Sequence, residues 1–516
     1  LAIIGGYFAI VAAIGVVVAR KTSSGDDLFL AGRSLGWAAV GASLFASNIS
    51  STTLIGLAGD AYRTGISVAN YEWMAALVLV FMAVFFVPFY LRSRVTTIPE
   101  FLEKRYDARS RKYFSVLTIF LSIMVDTAGG IYAGALVLKT FFPELDTTAT
   151  CIGLALFAGI YTAAGGLAAV VYTDVMQTII LICGSALLTV TVFGEFGYSW
   201  TEAVSGLPEA HLSLIRPIDD PTLPWLGTLV GLPILGFYYW ATNQYIVQRV
   251  LGSRDLKNGR WGTLFGGSLK LLPLFIMVLP GALAWKLFPG LENPDKVFPT
   301  MVAELLPPGV TGLVLAGLIA AIMSSIDSTL NSASTLVTID FVQPRRKDLS
   351  PKQTARVGRL ATVGFMLVAA LWAPFIGIFG GLFSYLQTAF SYVVPPVVVI
   401  FIMGVFWRRG SGAAAFVTLV GGHLLSAGLF VAGPVTGMVE VHFAIMAGVL
   451  TGACVLLYVA AALIAKPAAE EKTLGLTWAS RVRDGRLRAS GSAWKDYRIQ
   501  AALLVAATVV VVVFFW

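Results

Sequence analysis

Cysteine and histidine each occur only three times in this 516-residue chain, and charged side chains make up only 12% of it. Cys151, Cys183 and Cys454 stand far apart in apolar surroundings. No CxxC or other metal spacing is present, so they read as buried thiols rather than a disulfide framework or a metal site. His211, His423 and His442 are nowhere paired at helical spacing, which argues against haem redox chemistry in a membrane. Phosphate-binding glycine loops and paired carboxylates beside a nucleophile are also missing, so enzyme activity is not expected. A soluble chain carries about 25% charged residues. With half that share and 57% hydrophobic residues, this chain belongs in a bilayer.

The apolar runs predict an all-α polytopic protein of about fourteen spans, most of them apolar on every face. They lie near 1–20, 36–60, 66–91, 113–142, 148–164, 167–194, 224–248, 262–288, 309–341, 356–378, 380–407, 412–433, 440–465 and 499–516. Gly165 and Gly166 read as a tight turn between two of these spans. Orientation follows from Lys and Arg. With both termini outside, most of the 36 basic residues fall on inside loops, among them the segments 92–112, 249–260, 345–359 and 466–498. The net charge of +8 is then a topology signal, with the lipid bilayer as partner and no nucleic acid. An outside loop at 195–223, a short outside helix near 293–308 and an inside linker at 466–498 complete the pass.

Polar side chains inside such runs are costly. An ionisable group at mid-span costs roughly 2.5–3.5 kcal/mol on insertion scales, so each one needs a partner or a task. Glu72, Asp126, Asp174, Lys270, Asp327 and Asp340 fall within or near spans. In AAIMSSIDSTLNSAS, residues 320–334, Ser324, Asp327 and Ser328 are spaced i, i+3, i+4 and share a helix face, with Ser325 beside it. Hydroxyls, backbone carbonyls and a carboxylate suit a hard cation. The stretch FASNISSTTLIG, residues 45–56, crowds Ser, Thr and Asn into an apolar run. Such residues compete with the helix ladder and favour a break that frees carbonyls. Broken helices are where transporters bind ions and solutes. Asp174, in YTAAGGLAAVVYTDVMQT (161–178), would neutralise a cation, pair with a lysine or relay protons. Finally, NYEWM (70–74), GFYYWATNQYIVQR (236–249), GSLKLLPLF (267–275) and FSYLQTAFSY (383–392) bring Glu72, Tyr239, Trp240, Lys270 and Gln387 into spans. Carboxylate and amide acceptors, an ammonium donor and aromatic faces together suit a polyhydroxylated ligand. Otherwise the aromatics form interfacial belts and Glu72 merely pairs with Lys270.

At these residues the chain resembles the sodium/solute symporter family, most of all its sodium–glucose cotransporter branch. The resemblance runs from FLAGRSLGW (29–37) through the thirteenth span. It is carried by ASLFASNIS, YEWM, YTAAGGLAAVVYTDVMQ, YYWATNQYIVQR and MSSIDSTLNSASTLVTIDF. It implies a LeuT-like fold of two inverted five-helix repeats, about 36–194 and 224–407. One extra helix would precede them (1–20) and three would follow (412–516). It also implies a main sodium site made by the carbonyls of Ala46, Ile49 and Ala321 and the hydroxyls of Ser324 and Ser325. A second sodium site would use Asp174, Ser324, Asp327 and Ser328, with Asp327 replacing the Ser, Thr or Ala of the family. The solute positions correspond to Asn48, Thr53, Glu72, Gly236, Tyr239, Trp240, Lys270 and Gln387, with Tyr239 as an aromatic inner gate. Thr53 stands where sugar carriers have a longer Gln or His, and Gly236 where they have Asn, Ser or Thr.

The resulting expectation is a multi-pass plasma-membrane transporter. It would couple sodium entry to inward movement of a sugar or polyol by alternating access. A symporter of an amino acid, carboxylate or vitamin is the alternative, and a solute-gated channel or sensor a more distant one.

Overall fold

The computed structural model describes residues 6, 9, 10, 30–49, 51–346, 348–379, 382–480 and 496–516. Among the described residues nine helices are long and apolar enough to cross a membrane, or up to eleven if each of two sharply bent pairs counts as one span. The first predicted span, 1–20, falls largely outside the described residues, as does 481–495 of the inside linker.

The bent pairs organise the molecule. Helix α1 (Trp37–Asn48) ends at Ile49, whose φ of −76° and ψ of 67° leave the helical region. Helix α2 (Ser51–Thr64) follows, turned by 55°. The cause is local: a Ser, Thr and Asn cluster offers side-chain alternatives to the backbone ladder. Thr53 shows this directly, its hydroxyl donating to the carbonyl of Asn48 at 2.5 Å. Helix α3 (Ile66–Arg92) and helix α4 (Ala108–Phe141) cross next. Each contains a π-helical turn, at Met82–Phe86 and Ser122–Thr127 respectively.

Helix α5 (Thr147–Gly194) runs on where a turn was expected at Gly165 and Gly166. A glycine inside a helix costs only about 1 kcal/mol against alanine, and without proline the pair does not stop the ladder. The expected span 224–248 is not one helix. Helix α6 (Trp225–Phe237) carries Pro233 and passes into a π turn at Tyr238–Thr242. The chain then extends at Asn243 (φ −69°, ψ 124°) before helix α7 (Gln244–Leu251).

Helix α8 (Leu256–Leu287) packs on α1. A Cβ on Gly41 would sit 2.7 Å from the carbonyl oxygen of Gly262, and one on Gly262 would press into Val40. The small residues Gly262 and Gly266 are spaced for close helix approach, which holds the broken segment against a rigid neighbour. Helix α9 (Val297–Leu305) fits the short helix expected near 293–308. Helix α10 (Pro308–Val342) bears the serine-rich face and lies along α5. Helix α11 (Lys352–Ile376) leads to the second bent pair, α12 (Tyr385–Val393) and α13 (Pro395–Phe406), kinked by 51°. Here the prolines at 395 and 396 cannot continue the ladder. Helices α14 (Gly412–Val435), α15 (Phe443–Ile464) and α16 (Tyr497–Phe514) complete the bundle.

Some of the basic residues assigned to inside loops are structural. Arg105 is fully buried and donates to the carbonyls of Gly404, Trp407 and Gly410. Arg249 is 1% exposed, and its partners belong to the site described next.

Candidate functional site

A cavity of about 120 Å³ is lined by residues that flank the breaks at Ile49 and Asn243, among them Asn48, Tyr239 and Tyr245. It has room for several water molecules. Asn48, Thr53, Glu72, Gly236, Tyr239, Trp240 and Gln387 all line it. Lys270 lies immediately behind this wall, 1% exposed. Its ammonium pairs with the Glu72 carboxylate and donates to Oδ1 of Asn48. It also sits 5.5 Å from the Trp240 ring centre and 5.8 Å from that of Phe45, within cation–π range.

Glu72 lies near the start of α3, and Lys270 at a break in the ladder inside α8, where the last carbonyls of the segment Leu256–Leu269 favour its positive charge. The Tyr245 hydroxyl donates to Tyr239 at 2.5 Å, and Tyr239 in turn bonds Asn48. A continuous polar chain therefore runs Tyr245, Tyr239, Asn48, Lys270, Glu72 along one side of the cavity. The two positions that depart from the sugar-carrier pattern behave differently. The Thr53 proton is already given to Asn48, leaving only lone pairs for a ligand. A Cβ on Gly236 would approach Cγ2 of Val78 to 3.2 Å, so a larger residue there needs Val78 to yield.

The sodium positions adjoin the same space. Ala46, Ile49 and Ala321 are all buried. Ser325 lines the cavity and donates to the Ala321 carbonyl at 2.9 Å, so these two oxygens stand side by side. Ser324 turns the other way and donates to the Asp174 carboxylate. Asp174 is fully buried and ties four elements together. Ser43 donates to it at 2.5 Å and Ser47 at 3.3 Å from α1. Arg249 of α7 reaches it at 3.3 Å. Arg249 also donates to Ser43 and Ser328 at 2.8 and 2.7 Å. Of the positions expected for a second sodium, Asp174 and Ser324 are in contact, and Ser328 joins them through Arg249. Asp327 is buried on the same helix, 1% exposed.

Arg249 is the largest correction to the sequence reading, which placed it on an inside loop because basic residues mark that side. Nothing local to YIVQRV announces a burial that depends on a carboxylate 75 residues away. Asp126, Tyr71, Tyr245 and Phe390 also border the cavity without having been singled out as ligand positions. Asp126 was visible only as an ionisable residue in a span. Tyr71 additionally borders a second recess of about 390 Å³, lined by Asp60, Arg63, Thr222 and Phe443 among others.

A family model described as "Sodium:solute symporter family" matches residues 28–422. The sodium/myo-inositol cotransporter 2 of Homo sapiens is 39% identical over 82% of this chain and 68% of its own length. The sodium/glucose cotransporter of Vibrio parahaemolyticus is 36% identical over 80% of this chain and 82% of its own. A solved structure of a Na+-coupled sialic acid symporter in a substrate-bound outward-open state superposes with a TM-score of 0.79 at 24% identity. It covers 91% of this chain and 98% of that one, and at that identity it supports the fold alone. Broken helices around a polar cavity and a family match over most of the length agree: the chain belongs to the sodium:solute symporter family.

Proposed function

We propose that this protein carries a sugar or polyol into the cell together with sodium, by alternating access across the plasma membrane. The single observation that carries the reading is the shared cavity. It is lined by an ion-paired Glu72, by Gln387 and by Trp240, and Ser47 and Ser325 border the same space from the sodium side. A neutral polyhydroxyl ligand matches those groups. Glu72 and Gln387 accept hydroxyl protons, the Gln387 amide donates, and the Trp240 ring covers an apolar ring face.

The fuller architecture belongs to the same proposal: about fourteen helices, with inverted five-helix repeats at 36–194 and 224–407 and both termini outside. One feature of each half supports it. The first helix of each proposed repeat is interrupted, at Ile49 in one and at Asn243 in the other, as inverted repeats around a midplane site require.

Sodium is a cargo ion here. The carbonyls of Ala46, Ile49 and Ala321 and the hydroxyls of Ser324 and Ser325 would hold it. A cation there draws α1 and α10 together at the break and orders Asn48, the next residue along and a wall of the solute cavity. Solute affinity therefore rises with sodium, and by linkage sodium affinity rises with solute. Each sodium moved inward gains roughly 2.3 kcal/mol per 100 mV. A second ion at Asp174 and Ser328 would have to displace the Arg249 guanidinium. On closure Tyr71 parts the cavity from the outer recess, and the bonded Tyr239–Tyr245 pair parts it from the inside. At the inside end Arg111 links Asp340 and Glu103, each at 2.6 Å.

A thermal-shift panel of myo-inositol, glucose, mannose, amino acids and carboxylates tests the ligand class. A ligand at about 100 times its Kd stabilises the folded state by about 2.7 kcal/mol. The expected result is a rise in Tm with a sugar or polyol in sodium but not in potassium. A shift produced only by amino acids or carboxylates would replace the proposed ligand.

A further inference from the structure

We infer that the groove between α4 and α14 holds an anionic phospholipid, with its headgroup on Arg109 and Lys112 and one acyl chain along the apolar floor beyond them. The inference goes beyond the transport reading and shares with it only the orientation that puts this rim in the inner leaflet.

The groove has a volume of about 560 Å³ and shares no lining residue with the solute cavity. Its two helices start at the same end. Asp107, the N-cap of α4, lies against Gly412 at the start of α14, and the Arg109 guanidinium sits 5.1 Å from the Phe416 ring centre. Tyr113 fixes the separation. Its ring meets Phe416 edge to face with centres 6.3 Å apart, and its hydroxyl lies 3.0 Å from Nδ1 of His423, further along α14. The groove therefore has a set width.

The rim is cationic, and its charge is not spent within the protein. Among the neighbouring basic residues, Lys104 donates to the Ser93 carbonyl, Arg105 to three carbonyls, and Arg111 joins Glu103 and Asp340. Lys112 is exposed, and its ammonium has no ion pair among the described residues. Arg109 keeps Nε and Nη2 on Asp107, at 3.1 and 2.9 Å, which leaves Nη1 for a headgroup. The other Asp107 oxygen accepts from the backbone and hydroxyl of Ser110. Two cations against one carboxylate leave the rim positive.

The floor is hydrocarbon. Lys112, Val116 and Phe120 follow one another at every fourth residue and share a helix face, with Leu117 and Phe416 beside them. Val116 is 57% exposed and Phe120 55%. From Lys112 to Phe120 the stripe runs about 12 Å, at 1.5 Å per residue. The hydrocarbon layer of one leaflet is about 15 Å deep, half of the bilayer core. The stripe thus accommodates a chain that starts at headgroup level and stays within a single leaflet.

Charge at one end and hydrocarbon beyond it describe one amphiphile. A zwitterionic lipid leaves the net charge of the rim uncompensated, and a free phosphate leaves the floor bare. A phosphate oxygen at the rim accepts from the Lys112 ammonium and from Nη1 of Arg109 as charge-assisted bonds. The Lys112 stem is long enough to lie on apolar surface while its head stays at the interface. Basic pockets between membrane helices on the cytoplasmic side hold anionic headgroups in this way.

The test is native mass spectrometry of the purified full chain mixed with phosphatidylglycerol or with phosphatidylcholine of the same acyl chains, and with inorganic phosphate as competitor. One phosphatidylglycerol per chain should be retained, about tenfold more tightly than phosphatidylcholine, and phosphate should not displace it. Lys112→Gln should weaken retention about fivefold, and Arg109→Gln added to it should weaken retention further. Val116→Trp fills the floor without touching either cation and should weaken it as well. Arg346→Gln removes an exposed charge outside the groove and should change nothing. Thermal midpoints in phosphatidylcholine equal to that of the unmodified protein identify the variants that are folded. Equal retention of the two lipids, displacement by phosphate, or an equal loss in Arg346→Gln would overturn the inference. So would a dimer that Val116→Trp dissociates without any lipid preference, which would make the groove a contact with a second copy of the chain. Neither sodium nor solute enters the measurement, so a negative result leaves the proposed transport standing.

Discussion

Replacing Arg249 with methionine is expected to destabilise the protein by about 3–5 kcal/mol, the loss that follows when one partner of a buried ion pair is removed. Asp174 is fully buried and Arg249 almost so. Without the guanidinium, the carboxylate keeps the hydroxyl donors of Ser43, Ser47 and Ser324 but no cationic partner among the described residues. A charge in that setting loses the Coulomb attraction that offsets its desolvation. Ser328 and Ser43 lose a donor at the same time, so four elements loosen together. Adding Asp174→Asn to Arg249→Met removes the stranded charge, and the double variant should recover most of the loss. Denaturation of the purified variants measures both steps. Arg249→Met with unchanged stability would mean that Asp174 does not depend on the arginine, and that a bound cation supplies its counter-charge instead.

The second large effect concerns the solute. Glu72→Gln keeps the size of the side chain but removes its charge from the cavity wall and from Lys270. Hydrogen bonds to charged groups contribute about 1.5–3 kcal/mol each. Losing two of them at the solute, about 3–6 kcal/mol, corresponds to an affinity weaker by at least about 100-fold, since 1.4 kcal/mol is a factor of ten. Lys270→Met should do at least as much harm, because it leaves Glu72 charged and buried without its partner. Sodium-induced stabilisation in the absence of solute should survive Glu72→Gln, since the sodium positions lie on α1 and α10. Solute titration of uptake separates the two readouts. Equal loss of sodium and solute responses would show that Glu72 holds the fold together rather than the ligand.

Much of this site is legible in the sequence because membrane spans make polar residues conspicuous. Glu72, Lys270 and Gln387 stand out in apolar runs, and all lie on or directly behind the cavity wall. The break at Ile49 is equally legible, since Ser, Thr and Asn cluster where the ladder fails. What escapes the sequence is set by tertiary geometry. Arg249 follows an apolar run in the sequence and looks like an inside-loop residue until it is seen inside α7 with Asp174 beside it. The aim of Asp126 depends on a π turn, and a π turn leaves no period in the sequence. The Gly165–Gly166 pair misleads in the opposite direction, because glycine permits a turn without requiring one. Thr53 lies at the cavity, and its hydroxyl bonds the broken backbone, which only coordinates reveal.

The central claim is that a cation held between the break after Ala46 and the hydroxyls around Ser324 drives solute entry. It is tested most directly by solute uptake into proteoliposomes with an inward sodium gradient, against the same gradient of potassium or choline. The account predicts accumulation above equilibrium with sodium alone, lost when Ser325 is replaced by alanine. Equal uptake in all three salts would contradict it.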